Sequence, residues 1–169
     1  MHAGDQEFEF LDPEEMIARC AVTEIAAPRG SHKSQGASAK AVALAHRGHR
    51  VLYLDADNPP PLVRKRFAGW GDAELENLKV ITRNQIPPLT TAAACASFPV
   101  SEYDVVFVDS WESLTAGTGE QDRAKPSLAI TPLLNIAHQD GGPAIIVLFN
   151  TTRMAGGRGG AESSVIGAI

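Results

Sequence analysis

Three uninterrupted apolar runs limit this chain more than any other feature: Val51-Leu52-Tyr53-Leu54, Val105-Val106-Phe107-Val108 and Ala144-Ile145-Ile146-Val147-Leu148-Phe149. All are rich in β-branched or aromatic residues, and turn formers (Gly48, Asp104, Pro143) stand just ahead of them. A strand with one wet face alternates apolar and polar residues. A strand that loses this alternation is buried on both faces, as in a parallel sheet covered by helices. Helical stretches at Leu62 to Trp70, Thr91 to Ser97 and Ile130 to Gln139 lie between or beside the runs. Strands separated by helices imply right-handed βαβ crossovers, so the predicted fold class is α/β, a three-layer αβα domain on a mainly parallel sheet.

At 169 residues and 44% apolar, the chain is long enough for one domain with one core. Asp12-Pro13-Glu14-Glu15 reads as a helix start, with Asp as N-cap, Pro at the first helical position and acids in the first turn. Residues 1–20 are therefore expected to be a helical lead-in and residues 21–169 the core. No run approaches the roughly 18 apolar residues of a membrane span, and the acidic start (Asp5, Glu7, Glu9) is unlike a secretory signal. The expectation is a soluble, cytoplasmic protein without a membrane partner. Cys20 and Cys95 are isolated, and neither they nor the five histidines have metal-ligand spacing. Reduced, buried thiols are expected. The net charge of −5 excludes a protein that grips nucleic acid over its whole surface. Basic residues cluster only at Arg64-Lys65-Arg66 and, more loosely, at Arg153 and Arg158. Polar, glycine-containing stretches at 115–126 and 155–160 read as loops.

Ahead of the first long run, the small apolar segment Val22 to Ala27 leads into Pro28-Arg29-Gly30-Ser31-His32-Lys33-Ser34. An Ala-rich helical segment from Ala39 to Ala45 follows and stops at Arg47-Gly48. Strand, loop, helix is the setting of the phosphate loop G-x-x-x-x-G-K-[ST]. There, glycines let backbone N–H groups surround phosphates, the lysine meets the β and γ phosphates, and the hydroxyl holds magnesium. Laid on residues 27–34, the motif keeps Lys33-Ser34 and an internal Gly30 but has Ala27 and His32 at its two glycine positions. Arg29, Gly30, Ser31, His32, Lys33 and Ser34 are the expected ATP contacts, and ATP with Mg2+ the expected ligand. The plain alternative is a βα turn with a solvated lysine. Because His32 puts a side chain where backbone must approach the pyrophosphate, weakened affinity and a pseudo-ATPase are also expected outcomes.

Ligands of an open parallel sheet bind beyond the carboxyl ends of its strands, which gives weight to acids placed there. Val105-Val106-Phe107-Val108-Asp109 has the Walker B form, in which Asp109 would orient the magnesium held by Ser34. Val51-Leu52-Tyr53-Leu54-Asp55-Ala56-Asp57 ends in two more acids. Asp57 is the candidate general base for the attacking water, with Asp55 its rival. For all three, capping or turn formation is the structural alternative. Tyr53, Trp70 and Trp111 are read as core residues without a base-stacking role.

In this order the pieces resemble the RecA-like ATPases, and among them the RepA-type replicative helicases related to the DnaB and KaiC families. Val51 to Pro59 followed by Leu62 and Arg66 resembles that branch's strand ending in a catalytic glutamate, with Asp57, one methylene shorter, in its place. Asp109-Ser110 resembles the Asp-Ser that closes the Walker B strand. A loop and a single helix would then lead to Val147-Leu148-Phe149-Asn150-Thr151-Thr152-Arg153. The resemblance makes Asn150 the γ-phosphate sensor, where the family has His or Gln, and Arg153 a finger reaching a neighbouring subunit's nucleotide. Gly160 to Ile166 resembles the segment opening the next helix, and the preceding glycine loop would face a channel for single-stranded DNA. What this implies is a helicase-like ATPase of DNA replication or recombination, assembled with itself as a hexameric ring. Family members continue with further strands, so a chain ending at Ile169 is expected to be a fragment, a minimal version or a degenerate copy. The ParA/MinD partitioning ATPases are the rival enzyme resemblance, through Asp55-Ala56-Asp57; a nucleotide-binding regulatory module without turnover is the rival from another class.

Overall fold

The computed structural model describes residues 9–70, 75–115 and 130–151. Arg153, Arg158, the glycine loop at 155–160, the segment at 160–166 and nearly all of the 115–126 loop lie outside the described residues. Among the described residues the five strands are β1 (Val22–Pro28), β2 (Val51–Asp55), β3 (Leu78–Thr82), β4 (Val105–Asp109) and β5 (Ala144–Thr151). Helices are α1 (Lys33–His46), α2 (Pro60–Ala68), α3 (Ala92–Ala96), α4 (Trp111–Thr115) and α5 (Thr131–Ala137).

All pairings are parallel, in the order β1-β5-β4-β2-β3. The three apolar runs are the three inner strands, and every residue of β2 and β4 is buried. Their side chains divide by parity, as a strand period of two requires. Val51, Tyr53, Val105, Phe107, Ile146 and Leu148 pack with Ala41, Leu44, Val63 and Phe67 of α1 and α2. Leu52, Leu54, Val106, Val108, Ile145 and Val147 pack with Cys95, Trp111, Leu114 and Leu133 of α3, α4 and α5. The architecture is the expected α/β one: three layers on a parallel sheet. Parallel strands also bring the carboxyl ends of β1, β2, β4 and β5 to one edge, where the candidate residues among the described ones lie.

Three local expectations give way. Residues 12–20 are not helical: Asp12 Oδ1 accepts the backbone N–H groups of Met16 and Ile17 at 2.9 and 2.8 Å, Glu15 is left-handed at φ 55°, and Phe10 bridges Ala18 antiparallel. Asp12 caps a folded-back turn instead of a helix, a competition open to Asp wherever a helix is too short to nucleate. Leu11 and Ile17 are buried against the α1 face of the core and make that turn the better use of the segment. β3 was not anticipated: it is an edge strand, only partly buried, and Lys79 breaks its apolar signal. Between β4 and β5 the described residues contain two helical segments, not one, because Trp111 and Leu114, three apart, bury themselves immediately after Asp109. Among the described residues, no helix is long and apolar enough to cross a membrane.

Candidate functional site

The turn from β1 into α1 carries two left-handed residues, Gly30 at φ 80° and His32 at φ 63°. Gly30 takes this conformation without penalty. His32, immediately before α1 and making no side-chain cap, occupies the position where the motif has its second glycine. The loop thus keeps the glycine-type backbone with a side chain attached. Lys33 and Ser34 open a 14-residue helix, so their N–H groups have no intrahelical acceptor and add to the positive end of the helix dipole. Arg29, Gly30, Ser31 and His32 are exposed, while Lys33 and Ser34 are half-buried.

Across the sheet edge, Ser34 Oγ donates to Asp109 Oδ1 at 3.0 Å. The second carboxylate oxygen of Asp109 accepts the Tyr53 hydroxyl at 2.8 Å and lies 3.5 Å from Arg66 Nη1. Asp109 is 1% exposed. Burial, and then the charge of Asp55, push its carboxyl up, against the hydrogen bonds from Tyr53 and Ser34 and the Arg66 charge. Burial together with Asp109 raises the Tyr53 phenol well above its usual range, so it remains a donor. A buried carboxylate short of countercharge, beside a hydroxyl, is a donor set that would suit a hard divalent cation. No group of three or more His, Cys, Asp or Glu residues gathers among the described residues, so the protein alone does not cage such an ion. The Asp109–Ser110 peptide is cis.

The two acids at the end of β2 separate clearly. Asp55 has no solvent exposure: its Oδ2 pairs with Arg66 Nη1 at 2.8 Å, and its Oδ1 accepts the N–H groups of Asp57 and Asn58 at 3.1 and 2.9 Å. That carboxylate is committed to holding α2 and the loop after β2. Asp57 is exposed and accepts the Ser113 hydroxyl at 2.7 Å, leaving it accessible to water.

Lys33 Nζ donates to Asn150 Oδ1 at the end of β5. Asn150 is gripped in turn by Glu112, whose two oxygens accept its backbone N–H at 2.7 Å and its Nδ2 at 3.2 Å. Lys33, Ser34, Asp109 and Asn150 are thus brought together, with Asp57 beside them through Ser113; Arg153 lies outside the described residues. The sequence reading missed Tyr53, Glu112 and Ser113 as site residues. Glu112 and Ser113 follow Asp109 within one helical turn, a signal hidden by the unanticipated α4. Tyr53 acts through the register that pairs it with Phe107 and Asp55 with Asp109.

A cavity of about 520 Å³ opens between the phosphate loop and α2, lined by His32, Lys33, Leu62, Lys65, Arg66 and Trp70 among others. Trp70 is 44% exposed at its rim, unlike the core residue expected, and its indole N–H donates to Ser38 Oγ at 3.0 Å. Tyr53 and Trp111 are core residues as expected. Cys95 is a buried thiol pushed up to about 11 by burial, and neither cysteine forms a disulfide.

No family model and no curated protein matches this sequence. Among solved structures, the crystal structure of the RadB recombinase is similar, with a TM-score of 0.50 and 22% identity over 79% of this chain. The match spans 63% of the RadB chain, less than two thirds of its length. At that identity the likeness speaks to fold and not to a branch within it. What it shows is a shared fold, a three-layer α/β core on a parallel sheet.

Proposed function

We propose that this chain binds ATP with Mg2+ and hydrolyses it to drive work on DNA. The observation that carries the reading is the convergence of Lys33, Ser34, Asp109 and Asn150 on one strand edge at the N-terminus of α1, with Ser34 and Asp109 3.0 Å apart. Lys33 and the free N–H groups of α1 offer a cationic cradle for polyphosphate. Ser34 and Asp109 would hold the metal, which when bound neutralises phosphate charge. Asp57, exposed and oriented by Ser113, would position the attacking water. The cavity between the loop and α2 would take the nucleoside beside the phosphates.

For the work itself we favour recombination, since the similar solved structure is that of a recombinase. A helicase-like motor in a hexameric ring on single-stranded DNA, with Arg153 as the finger between subunits, is the narrower form implied by the resemblance to RepA-type helicases. The net charge of −5 confines any DNA contact to local basic patches. A second reading, a nucleotide-binding module without turnover, is favoured by His32 in the loop and by the shorter reach of Asp57.

The deciding experiment titrates Mg-ATP against the wild type and Lys33→Ala, follows phosphate release with and without single-stranded DNA, and weighs the assembly by native mass spectrometry. Turnover that is lost in Lys33→Ala supports the ATPase; binding without turnover selects the module. No binding at millimolar nucleotide removes both.

A further inference from the structure

Every hydrogen-bonding atom of the Asn150 side chain is engaged. Its Oδ1 accepts from Lys33, while its Nδ2 donates to Glu112 Oε2 at 3.2 Å and to Ser110 Oγ at 3.4 Å. The orientation is forced by chemistry: an ionised carboxylate only accepts and an ammonium only donates, so the amide nitrogen must face Glu112 and the oxygen Lys33. Glu112 Oε1 also takes the Asn150 backbone N–H at 2.7 Å, which anchors the carboxylate independently of the side chain it orients. The consequence runs against the sensor role. A γ-phosphate beside Lys33 would meet the amide's oxygen, an acceptor facing an acceptor, while both N–H donors point elsewhere.

Resting on the ATP reading above, we propose that Glu112 is a positioning residue that locks the Asn150 amide with its donors away from the phosphate site, and so sets how weakly the site prefers a nucleoside triphosphate to a diphosphate. Releasing the lock lets the amide turn over and donate to the terminal phosphate. It also frees Lys33 from the oxygen that holds it. A diphosphate gains only what a freed Lys33 adds at its β-phosphate and nothing from the turned amide, so the amide carries the change in preference.

The test is a double-mutant cycle on full-length protein: wild type, Glu112→Ala, Asn150→Ala and the pair, each titrated with fluorescently labelled ATP and ADP. Glu112→Ala is expected to raise the ATP-to-ADP affinity ratio by about tenfold, the order of one hydrogen bond to a charged group. It should leave the ratio within about twofold when Asn150 is already alanine, since well-separated effects add and coupled ones do not. Glu112→Gln, of the same shape with a single acceptor oxygen, should fall between and guards against a folding defect in the alanine variant. An equal change in both Asn150 backgrounds would mean that Glu112 acts as a bare charge, and overturns the proposal. A nucleotide-free readout separates it from the ATP reading: the side-chain NH2 signals of Asn150, assigned by their loss in Asn150→Ala, should move in Glu112→Ala. Unmoved signals also overturn it. If the wild type binds neither nucleotide, the ATP reading fails and the discrimination claim falls with it, while the amide signals still decide the lock.

Discussion

His32 sits at φ 63° and ψ 16°, a region that costs a residue with a Cβ about 1–2 kcal/mol and that histidine tolerates better than most. The glycine missing from the motif is thus still demanded by the backbone. His32→Gly removes the strain but adds unfolded-chain entropy of about 0.5–1 kcal/mol, so a net gain of roughly 0.5–1 kcal/mol is expected. It also clears a side chain from the rim of the phosphate site. His32→Val, β-branched in a left-handed position, should lose stability. The order Gly, His, Val in both urea midpoint and ATP affinity checks the argument; a valine variant as stable as wild type would refute it. At this scale, what was legible in sequence was what depends on local order. Lys33 and Ser34 follow a turn and open a helix, and Asp109 ends a strand, so their meeting follows from the fold class. Tyr53 takes its position from register between β2 and β4, which no local pattern encodes, and Glu112 and Ser113 from a helical turn marked only by the Trp111 and Leu114 spacing.

Two polar contacts decide how elements are attached. α2 is held to β2 by Arg66, 14% exposed, on the fully buried Asp55. Removing one member of such a pair strands a charge, so Arg66→Met should cost about 3–5 kcal/mol, seen in chemical denaturation. Asp55→Asn combined with Arg66→Met should recover a good part of that loss, which a purely steric role for Arg66 would not allow. The lead-in is held to α1 by Asp12, 2.8 Å from Lys40 Nζ and accepting the Met16 and Ile17 N–H groups. Burial pushes its carboxyl up, but Lys40 and the two N–H groups outweigh burial and leave it below its usual value. The folded value being the lower, the contribution is complete above the ordinary carboxylate value of roughly 3.9 and fades as pH falls through the lowered one. Wild type should therefore lose stability below about pH 4 more steeply than Asp12→Asn, with the two curves converging in acid. The sequence showed Asp12 as a cap. It did not show that the cap closes a turn, because that choice was made by the burial of Leu11 and Ile17 against the α1 face of the core, outside the segment itself.

At the scale of the molecule, three doubly buried runs were enough to reveal a parallel three-layer sheet, but not its order. Placing β5 between β1 and β4 depends on where each crossover returns, which apolar patterning leaves open. That order assembles the site from distant parts of the chain: the loop before α1, Asp57 after β2, Asp109 on β4 and Asn150 on β5. A ligand held by all of them binds only the folded state, and its binding energy adds to the stability of the whole domain. At about one hundred times the dissociation constant the gain is roughly 2.7 kcal/mol. For a chain of this size each kcal/mol moves the unfolding midpoint by about 2–4 °C, so Mg-ATP should raise Tm by roughly 5–10 °C. Lys33→Ala should abolish the shift while keeping the Tm of the ligand-free protein close to wild type, because Lys33 contributes a half-exposed contact and no core packing. Ser34→Ala should retain a shift with nucleotide alone and lose the increment that Mg2+ adds. A shift equal in wild type and Lys33→Ala would place the nucleotide somewhere other than the mouth of α1.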